Sequence, residues 1–349
     1  MGFQRFPMPS AAALRRLLFS VLRIALGLGL AAFMLHLTLR SAGSSLSRCL
    51  GAANPLLLAL AGLLFGGVIC LGAWRWGILL RIQGVRLPYA DLWRLTMIGQ
   101  FFSLAIPGAV GGDLVKMGYI ARRVPAGKTA ESILTIVLDR IVGILGLFAL
   151  ASVLVLLNLR LLLALPPAHR AVQMAAFLVG LGSLGGIAAV LLVEFRATLL
   201  RHPWAARLTA FTARHAPHQA VALVIRLTAA LELCRLHRAV IAGTIAISVG
   251  VHSTLALLLF TVGRALGETT LSLPNYALVT QVANTVAAIP ATPGGLGLRD
   301  FGAKLFFDAL GVPASLAGSI PVTMSLVICL WALLGAGVFI CTRSVTRET

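Results

Sequence analysis

Among the ionisable side chains inside strongly apolar stretches of this 349-residue chain, seven are candidates for binding a substrate. They are Asp113, Lys116, Asp139, Arg140, Arg299, Asp300 and Lys304. A charge near the centre of a bilayer costs on the order of 3 kcal/mol unless it is paired or hydrated, so each needs a partner or a polar cavity. Arginine and lysine in such a cavity suit a phosphate-bearing anion, while the aspartates would hold the cations in place or meet a cationic head group.

One pattern occurs twice, 183 residues apart, and positions these charges. It is Ile-Pro, three residues, Gly-Gly, three residues and a cation, at 106–116 and at 289–299. Proline and paired glycines break a helix, and broken backbone at membrane depth lines a cavity or is buried in protein. Chance recurrence in a chain with 35 glycines is the alternative. We predict two re-entrant hairpins whose hinges contain Pro107, Gly111, Gly112, Pro290, Pro293, Gly294 and Gly295.

The composition is that of a membrane protein. Hydrophobic residues make up 59% of the chain and charged residues 11%, and the mean hydropathy is +0.98. The net charge of +19 comes mainly from loops between apolar runs, which suits contact with inner-leaflet phospholipids. We expect no nucleic-acid partner, because no recognisable domain is left outside the membrane. The cysteines and histidines lack metal-ligand spacing, so we expect no metal and no cofactor.

Apolar runs of about 20 residues predict the membrane helices. The predicted spans are 17–39, 54–80, 129–158, 171–193, 239–263 and 314–341. Broken segments at 91–121 and 274–310 supply the hairpins, and the basic segment 194–238 is predicted to form amphipathic helices on the membrane surface. The fold class is therefore an all-α polytopic membrane protein with about six to eight membrane helices plus two broken re-entrant hairpins. These form one integral membrane domain, with repeat 1 at about 54–158 and repeat 2 at about 239–342.

The distribution of lysine and arginine predicts the orientation. If both hairpins return to their own side, one face receives 18 cations and the other five. The positive-inside rule then places both termini and the segment 194–238 in the cytoplasm of a multi-pass protein of the cell (inner) membrane. The first hairpin would enter from the cytoplasm and the second from outside. Such inverted-topology repeats recur among secondary transporters.

The charged residues need specific partners. Asp139 and Arg140 are neighbours on one helix and point about 100° apart, so we expect each to pair with a hairpin residue. Asp300 and Lys304 are four residues apart, so we expect them to pair with one another. The alternative is that all these charges form buried structural pairs.

The positions of several other polar residues are also predicted. A stripe of small and polar residues from Ser132 to Gly146 is expected to face the bundle interior. Arg75, between two tryptophans, is expected to extend to the membrane surface. Gln281 and Asn284, one turn apart, are weaker candidates for lining the cavity.

Four motifs resemble the flippase-like membrane domain of lysylphosphatidylglycerol synthases and its stand-alone relatives. They are Trp74-Arg75-Trp76 with Gly84, the run from Pro107 to Lys116, the run from Leu138 to Gly143, and the run from Thr292 to Asp300. The resemblance covers nearly the whole chain and implies two inverted repeats, re-entrant helices and lipid translocation. Lys116 stands where relatives often have arginine, and Asp300 where they often have glutamate. No soluble aminoacyl-transferase domain follows, so we expect a stand-alone member without lysyl transfer.

Our hypothesis is a lipid flippase that moves a phosphate-bearing or zwitterionic lipid between leaflets, with membrane lipids as its partners. The sequence has no GxxxxGK[ST] loop, so we expect no ATP hydrolysis. Transport would be downhill or ion-driven, with Asp139 as the residue to test for proton coupling. One alternative is an intramembrane transferase or hydrolase using Asp113 or Asp139 as base, although no nucleophile motif is found. Another is a scaffold for lipid-synthesis enzymes.

Overall fold

The computed structural model describes five stretches of the chain: 45–105, 111–124, 128–194, 237–287 and 295–342. Within them the chain forms α-helices, one 3-10 turn and no β-strand. The predicted span 17–39 and nearly all of the basic segment 194–238 lie outside the described residues. The same holds for four predicted hinge residues, Pro107, Pro290, Pro293 and Gly294.

Eleven helices are present in the described stretches. In chain order they are α1 (Ser45–Gly51), α2 (Pro55–Ile82), α3 (Tyr89–Ala105), α4 (Gly111–Arg123), α5 (Thr129–Leu157), α6 (Leu159–Leu163), α7 (Arg170–Glu194), α8 (Arg238–Ala265), α9 (Leu273–Ala287), α10 (Leu298–Ala309) and α11 (Ala314–Cys341). Four of these, α2, α5, α8 and α11, are long and apolar enough to cross a membrane. The predicted class of all-α polytopic membrane protein is confirmed.

Local signals fix the start and end of the first long span. The Asn54 side chain accepts hydrogen bonds from the backbone N–H groups of Leu56 (3.0 Å) and Leu57 (3.3 Å), and Pro55 occupies the first helical position. Shortly after its end, Gly84 adopts a φ of 73°, a conformation that other residues rarely take. The helix predicted at 54–80 therefore forms nearly as expected.

The helices fall into two matching sets of four. Helices α2 to α5 have 28, 17, 13 and 29 residues, and helices α8 to α11 have 28, 15, 12 and 28. The first members of the two sets run antiparallel: the Asn54 N–H donates to the Ala265 carbonyl (2.9 Å), whereas Arg75 near the other end of α2 meets Ser248 (2.7 Å). Since equivalent helices point in opposite directions, the two halves are inverted.

The second and third helices of each set form an antiparallel pair. In the first half, Gly112 lies against Gly99 at the tip, and the Arg123 guanidinium lies 3.3 Å from Asp91 at the base. In the second half, Gly302 lies against Ala283. At 1.5 Å per residue, α3 and α4 extend about 26 and 20 Å, less than the roughly 30 Å of the hydrocarbon core. This is the geometry expected of a re-entrant hairpin.

Each hairpin packs against the last helix of the other half. Helix α3 packs on α11, where the rings of Phe102 and Phe339 meet edge to face at 4.9 Å and Gly335 leaves room for the Met97 carbonyl. Helix α9 packs on α5, and α7 covers the outer side of α5 through a hydrogen bond from Ser183 to the Phe148 carbonyl (3.2 Å). The core is thus the interface between the halves, and the charged residues lie along it.

Candidate functional site

Arg75 and Asp139 form a buried ion pair between α2 and α5. The Arg75 Nε and Nη2 atoms donate to the two Asp139 oxygens at 2.8 and 3.0 Å, and Nη1 donates to Ser248 of α8 at 2.7 Å. The expectation that Arg75 extends to the membrane surface is wrong, because Arg75 is only 9% exposed and the neighbouring Trp74 faces outward instead. The expectation of a hairpin partner for Asp139 is also wrong, since the antiparallel packing of α2 on α8 turns Arg75 towards α5.

Arg140 binds the first hairpin, as predicted. Its Nε and Nη2 atoms donate to the two oxygens of Asp113 at 2.7 and 3.2 Å. The Asp113 side chain is 11% exposed, whereas the Arg140 side chain is 50% exposed. The Arg140 side chain is therefore half exposed beside the hairpin.

Lys116 sits over an aromatic ring. Its ammonium group lies 5.1 Å from the centre of the Trp76 ring, and its stem crosses Gly99, where a Cβ would come within 2.6 Å of the lysine Cε. The Trp76 ring is buried and held by a hydrogen bond from Nε1 to the Thr135 hydroxyl (3.1 Å). Trp76 and Thr135 thus hold the position at which the ammonium rests.

We name Arg75, Asp113, Lys116, Asp139 and Arg140 the first-hairpin cluster. They come from three helices of the first half, α2, α4 and α5, and Arg75 also bonds to α8 of the second half.

The polar stripe on α5 faces the bundle interior, as predicted. Ser132 at its start is fully buried, and Gly146 at its end lies directly against Ser248 of α8. Between them, the carbonyl of Gly143 lies 3.2 Å from Nε2 of His252. Small residues let helices approach closely in a membrane, and here they bring the two halves together.

The charges of the second hairpin are satisfied locally. Arg299 donates to the Ser325 hydroxyl at 2.6 Å and lies 3.5 Å from Asp300. Asp300 is also in contact with Ser325, at 2.7 and 2.8 Å, and accepts the Gly297 N–H at 3.3 Å.

The predicted pair of Asp300 and Lys304 is wrong. Lys304 binds Asp308 at 2.6 Å, because Asp300 is turned towards α11 and the start of its own helix. We name Arg299, Asp300, Ser325, Lys304 and Asp308 the second-hairpin cluster.

A small cavity lies behind Arg299. Asn284, Thr280 and Pro321 share its lining, and its volume of about 10 Å³ is near the minimum for one water. The side-chain nitrogen of Asn284 and the side-chain oxygen of Gln281 are buried without a hydrogen-bond partner among the described residues. Of the two weaker candidates, Asn284 lines this cavity, and Gln281 is fully buried beside α8, where it donates to the His252 carbonyl at 3.2 Å.

A larger apolar cavity of about 170 Å³ lies between α7, α9 and α10. Its lining consists of Val172, Ala175, Val282, Ala283, Val286, Leu298, Phe301, Gly302, Leu305 and Phe306. No group of His, Cys, Asp or Glu that could hold a metal ion occurs in the described stretches.

The sequence analysis did not identify four residues of the site. They are the buried cation Arg75, its partner Ser248, the partner of Arg299, which is Ser325, and the partner of Lys304, which is Asp308. The burial of Arg75 could have been predicted. Arg75 is the eighth residue from the end of an apolar helix, and Arg81 at that end already supplies a cation that can reach the membrane surface. The contacts of the two serines could not, because buried serine in a membrane helix more commonly bonds its own backbone.

Together the fold and the clusters define a class: a polytopic α-helical membrane protein of two inverted repeats, each with a broken hairpin that carries charge. The family model described as "Lysylphosphatidylglycerol synthase TM region" matches residues 20–337. The chain belongs to this family, and the resemblance of its four motifs is confirmed. Membership supports a role connected with membrane lipids. No curated protein matches the chain.

Proposed function

We propose that this protein moves a lipid with a phosphate-bearing or zwitterionic head group between the leaflets of the cell (inner) membrane. The observation that carries the proposal is the half-exposed side chain of Arg140 beside a re-entrant hairpin. Arginine recognises phosphate oxygens through paired hydrogen bonds, so a head group can engage this face.

The depth of Arg140 makes its exposure informative. Asp139 lies ten residues after the start of α5, or about 15 Å, which is roughly half of the hydrocarbon thickness. Exposing a charged side chain to hydrocarbon at that depth is unfavourable, so the exposed half of Arg140 favours contact with water or a lipid head group. The first hairpin then supplies a polar path for the head group while the acyl chains stay in the bilayer.

The inverted halves suit a transport cycle. Exchanging the conformations of two similar halves produces inward-open and outward-open states of comparable energy. Asp139 is the residue to test for proton coupling, because protonation would break its pair with Arg75 between α2 and α5. A translocation rate that does not change with pH would count against that role.

The orientation belongs to the same proposal, with both termini in the cytoplasm. Cys341 is exposed at the end of α11, close to the C-terminus. In a variant that keeps this cysteine alone, an impermeant maleimide should label Cys341 only after the cells are permeabilised. Labelling of intact cells would reverse the assigned orientation.

Translocation in proteoliposomes tests the function. Fluorescent phospholipids and a labelled polyprenyl phosphate are reconstituted with the wild type, with Arg140→Ala or without protein. We expect protein-dependent translocation of at least one lipid and a loss of at least about tenfold in Arg140→Ala. No protein-dependent translocation of any lipid would contradict the proposal.

The same samples separate the alternatives. Under the proposal the lipid is recovered with unchanged mass, whereas an altered mass would favour a transferase or hydrolase. Both oxygens of Asp113 accept hydrogen bonds from Arg140, which suits a structural role better than that of a base. Unchanged lipid function in cells carrying Arg140→Ala would favour a scaffold for lipid-synthesis enzymes.

A further inference from the structure

The charges of the first-hairpin cluster do not balance. Arg75 occupies both oxygens of Asp139, and Arg140 occupies both oxygens of Asp113. Lys116 forms neither an ion pair nor a hydrogen bond with any residue that the structure describes. Among the residues that the structure describes, three cations therefore face two carboxylates in this cluster, and Lys116 is the cation without a carboxylate partner.

The contact that Lys116 does make is replaceable. A cation over an aromatic face is held less strongly than one that donates a charge-assisted hydrogen bond to phosphate. The Trp76 ring itself is fixed by Thr135, and Gly99 leaves the lysine stem free of a clashing side chain. An anion that enters the cluster therefore offers the ammonium a stronger contact than the ring does.

The second-hairpin cluster supplies the contrast. Arg299 lies beside Asp300, and Lys304 binds Asp308, so two cations face two carboxylates. Its adjoining cavity is small, at about 10 Å³, and the Arg299 side chain is only 12% exposed. The lysine without a carboxylate partner lies at the first hairpin, where half of the Arg140 side chain is exposed.

We propose that the first-hairpin cluster selects lipids whose head groups carry a net charge of −1 over zwitterionic ones, and that Lys116 is the residue that pairs with the phosphate. This inference rests on the proposed function and narrows its substrate class. Binding of one negative charge neutralises the cluster and removes the cost of an unpaired cation at membrane depth. A zwitterion of zero net charge leaves that excess in place.

Two short-chain phospholipids with identical acyl chains test the selection. One carries phosphoglycerol, with a net charge of −1, and the other phosphocholine, with a net charge of zero. Each is titrated into the detergent-solubilised full chain, and the shift in Tm gives its affinity. We expect the wild type to bind the anionic lipid at least about tenfold more tightly.

Four variants sharpen the test. Lys116→Gln should bring the two affinities to about the same value, whereas Lys116→Arg should keep the preference. Lys128→Gln removes an equal charge from an exposed lysine at the start of α5, so it should behave as the wild type. Arg140→Lys keeps the charge and should keep the preference with weaker binding of both lipids, because bidentate contact is lost.

Two results would overturn the inference: equal affinities in the wild type, or an undiminished preference in Lys116→Gln. Misfolding of Lys116→Gln would leave the wild-type comparison and Lys116→Arg decisive. If both lipids bind equally and still cross the bilayer, the charge selection fails and the translocation proposal stands. If the anionic lipid binds preferentially but no lipid crosses, the selection stands and the translocation proposal fails.

Discussion

The two hairpins share a backbone design and differ in charge. In the first, two arginines form ion pairs with aspartates of neighbouring helices. Lys116 has no carboxylate partner among the described residues and lies over the Trp76 ring. In the second, Arg299 and Asp300 contact one serine of α11, and the adjoining cavity has a volume of only about 10 Å³. A repeat therefore fixes where the helices break but not what chemistry the break presents. In our proposal the anion binds in the first half, where Lys116 has no carboxylate partner among the described residues.

The largest expected effect comes from the buried pair of Arg75 and Asp139. Arg75→Met leaves Asp139 without the donor for either oxygen, which should lower the free energy of unfolding by about 3–5 kcal/mol. Arg299→Met should cost less, because Asp300 keeps its contacts with Ser325 and Gly297. Thermal unfolding in detergent measures both.

A double variant is the control for this prediction. Arg75→Met with Asp139→Leu removes both charges and should recover most of the lost stability. Equal destabilisation by Arg75→Met and Arg299→Met would remove the distinction between the two clusters.

Helix contact at the tips gives the next largest difference. A Cβ on Gly112 would overlap the Gly99 carbonyl oxygen and the Ser103 hydroxyl, whereas a Cβ on Gly302 would lie 3.8 Å from the nearest atom of Ala283. Gly112→Ala should therefore cost about 1–3 kcal/mol through overpacking. Gly302→Ala should be tolerated. Size-exclusion profiles after heating report both, and equal tolerance would show that the first hairpin is not closely packed.

The base of the second hairpin gives a pH-dependent effect. Burial alone would raise the pKa of Glu268, but hydrogen bonds donated by Thr270, Tyr276 and Leu271 outweigh it and hold the pKa below its ordinary value. A lowered pKa stabilises the folded state fully above about pH 4.3, the value of a free glutamate. That stabilisation is lost as the pH falls from there through the folded-state pKa.

Glu268→Gln tests this prediction. The variant should be less stable than the wild type by about 1–2 kcal/mol at neutral pH, since hydrogen bonds to a charged acceptor are lost. The difference in Tm between the two proteins should shrink below pH 4. A difference that stays constant to pH 3 would mean that the carboxylate is not what holds the loop.

The smallest effect should come from Lys304. Its pair with Asp308 is partly exposed, with 42% and 30% of the two side chains accessible. Lys304→Ala should change the free energy of unfolding by about 0.2–1 kcal/mol, as for other exposed pairs. A Tm loss as large as that of Arg75→Met would place Lys304 in an essential contact that its geometry does not indicate.

The sequence predicted much of the backbone. The span 314–341 coincides with α11, and the glycine pair at 111–112 coincides with the start of α4, because apolar runs and helix breakers are local signals. It also predicted that Arg140 binds a hairpin residue. An intramembrane charge needs a partner, and Asp113 lies directly after the first glycine pair.

The pairing of the other charges was not predictable. Asp300 and Lys304 have favourable spacing for an ion pair. Asp300 instead contacts the Ser325 hydroxyl, and Lys304 binds Asp308. Nothing near Asp300 in the sequence indicates that Ser325 is its partner. Which face of α2 meets α5 likewise depends on how the two halves pack. Local patterns therefore located the charged segments, and long-range packing decided their partners.

Lys116 is the cation that we propose pairs with the head-group phosphate. The direct measurement is the translocation rate of an anionic phospholipid in proteoliposomes containing Lys116→Gln, with the exposed Lys128→Gln as the matched control. We predict at least about a tenfold lower rate for Lys116→Gln and an unchanged rate for Lys128→Gln, with both proteins folded. Equal rates for the wild type and the two variants would contradict the assignment of the head-group path to the first hairpin.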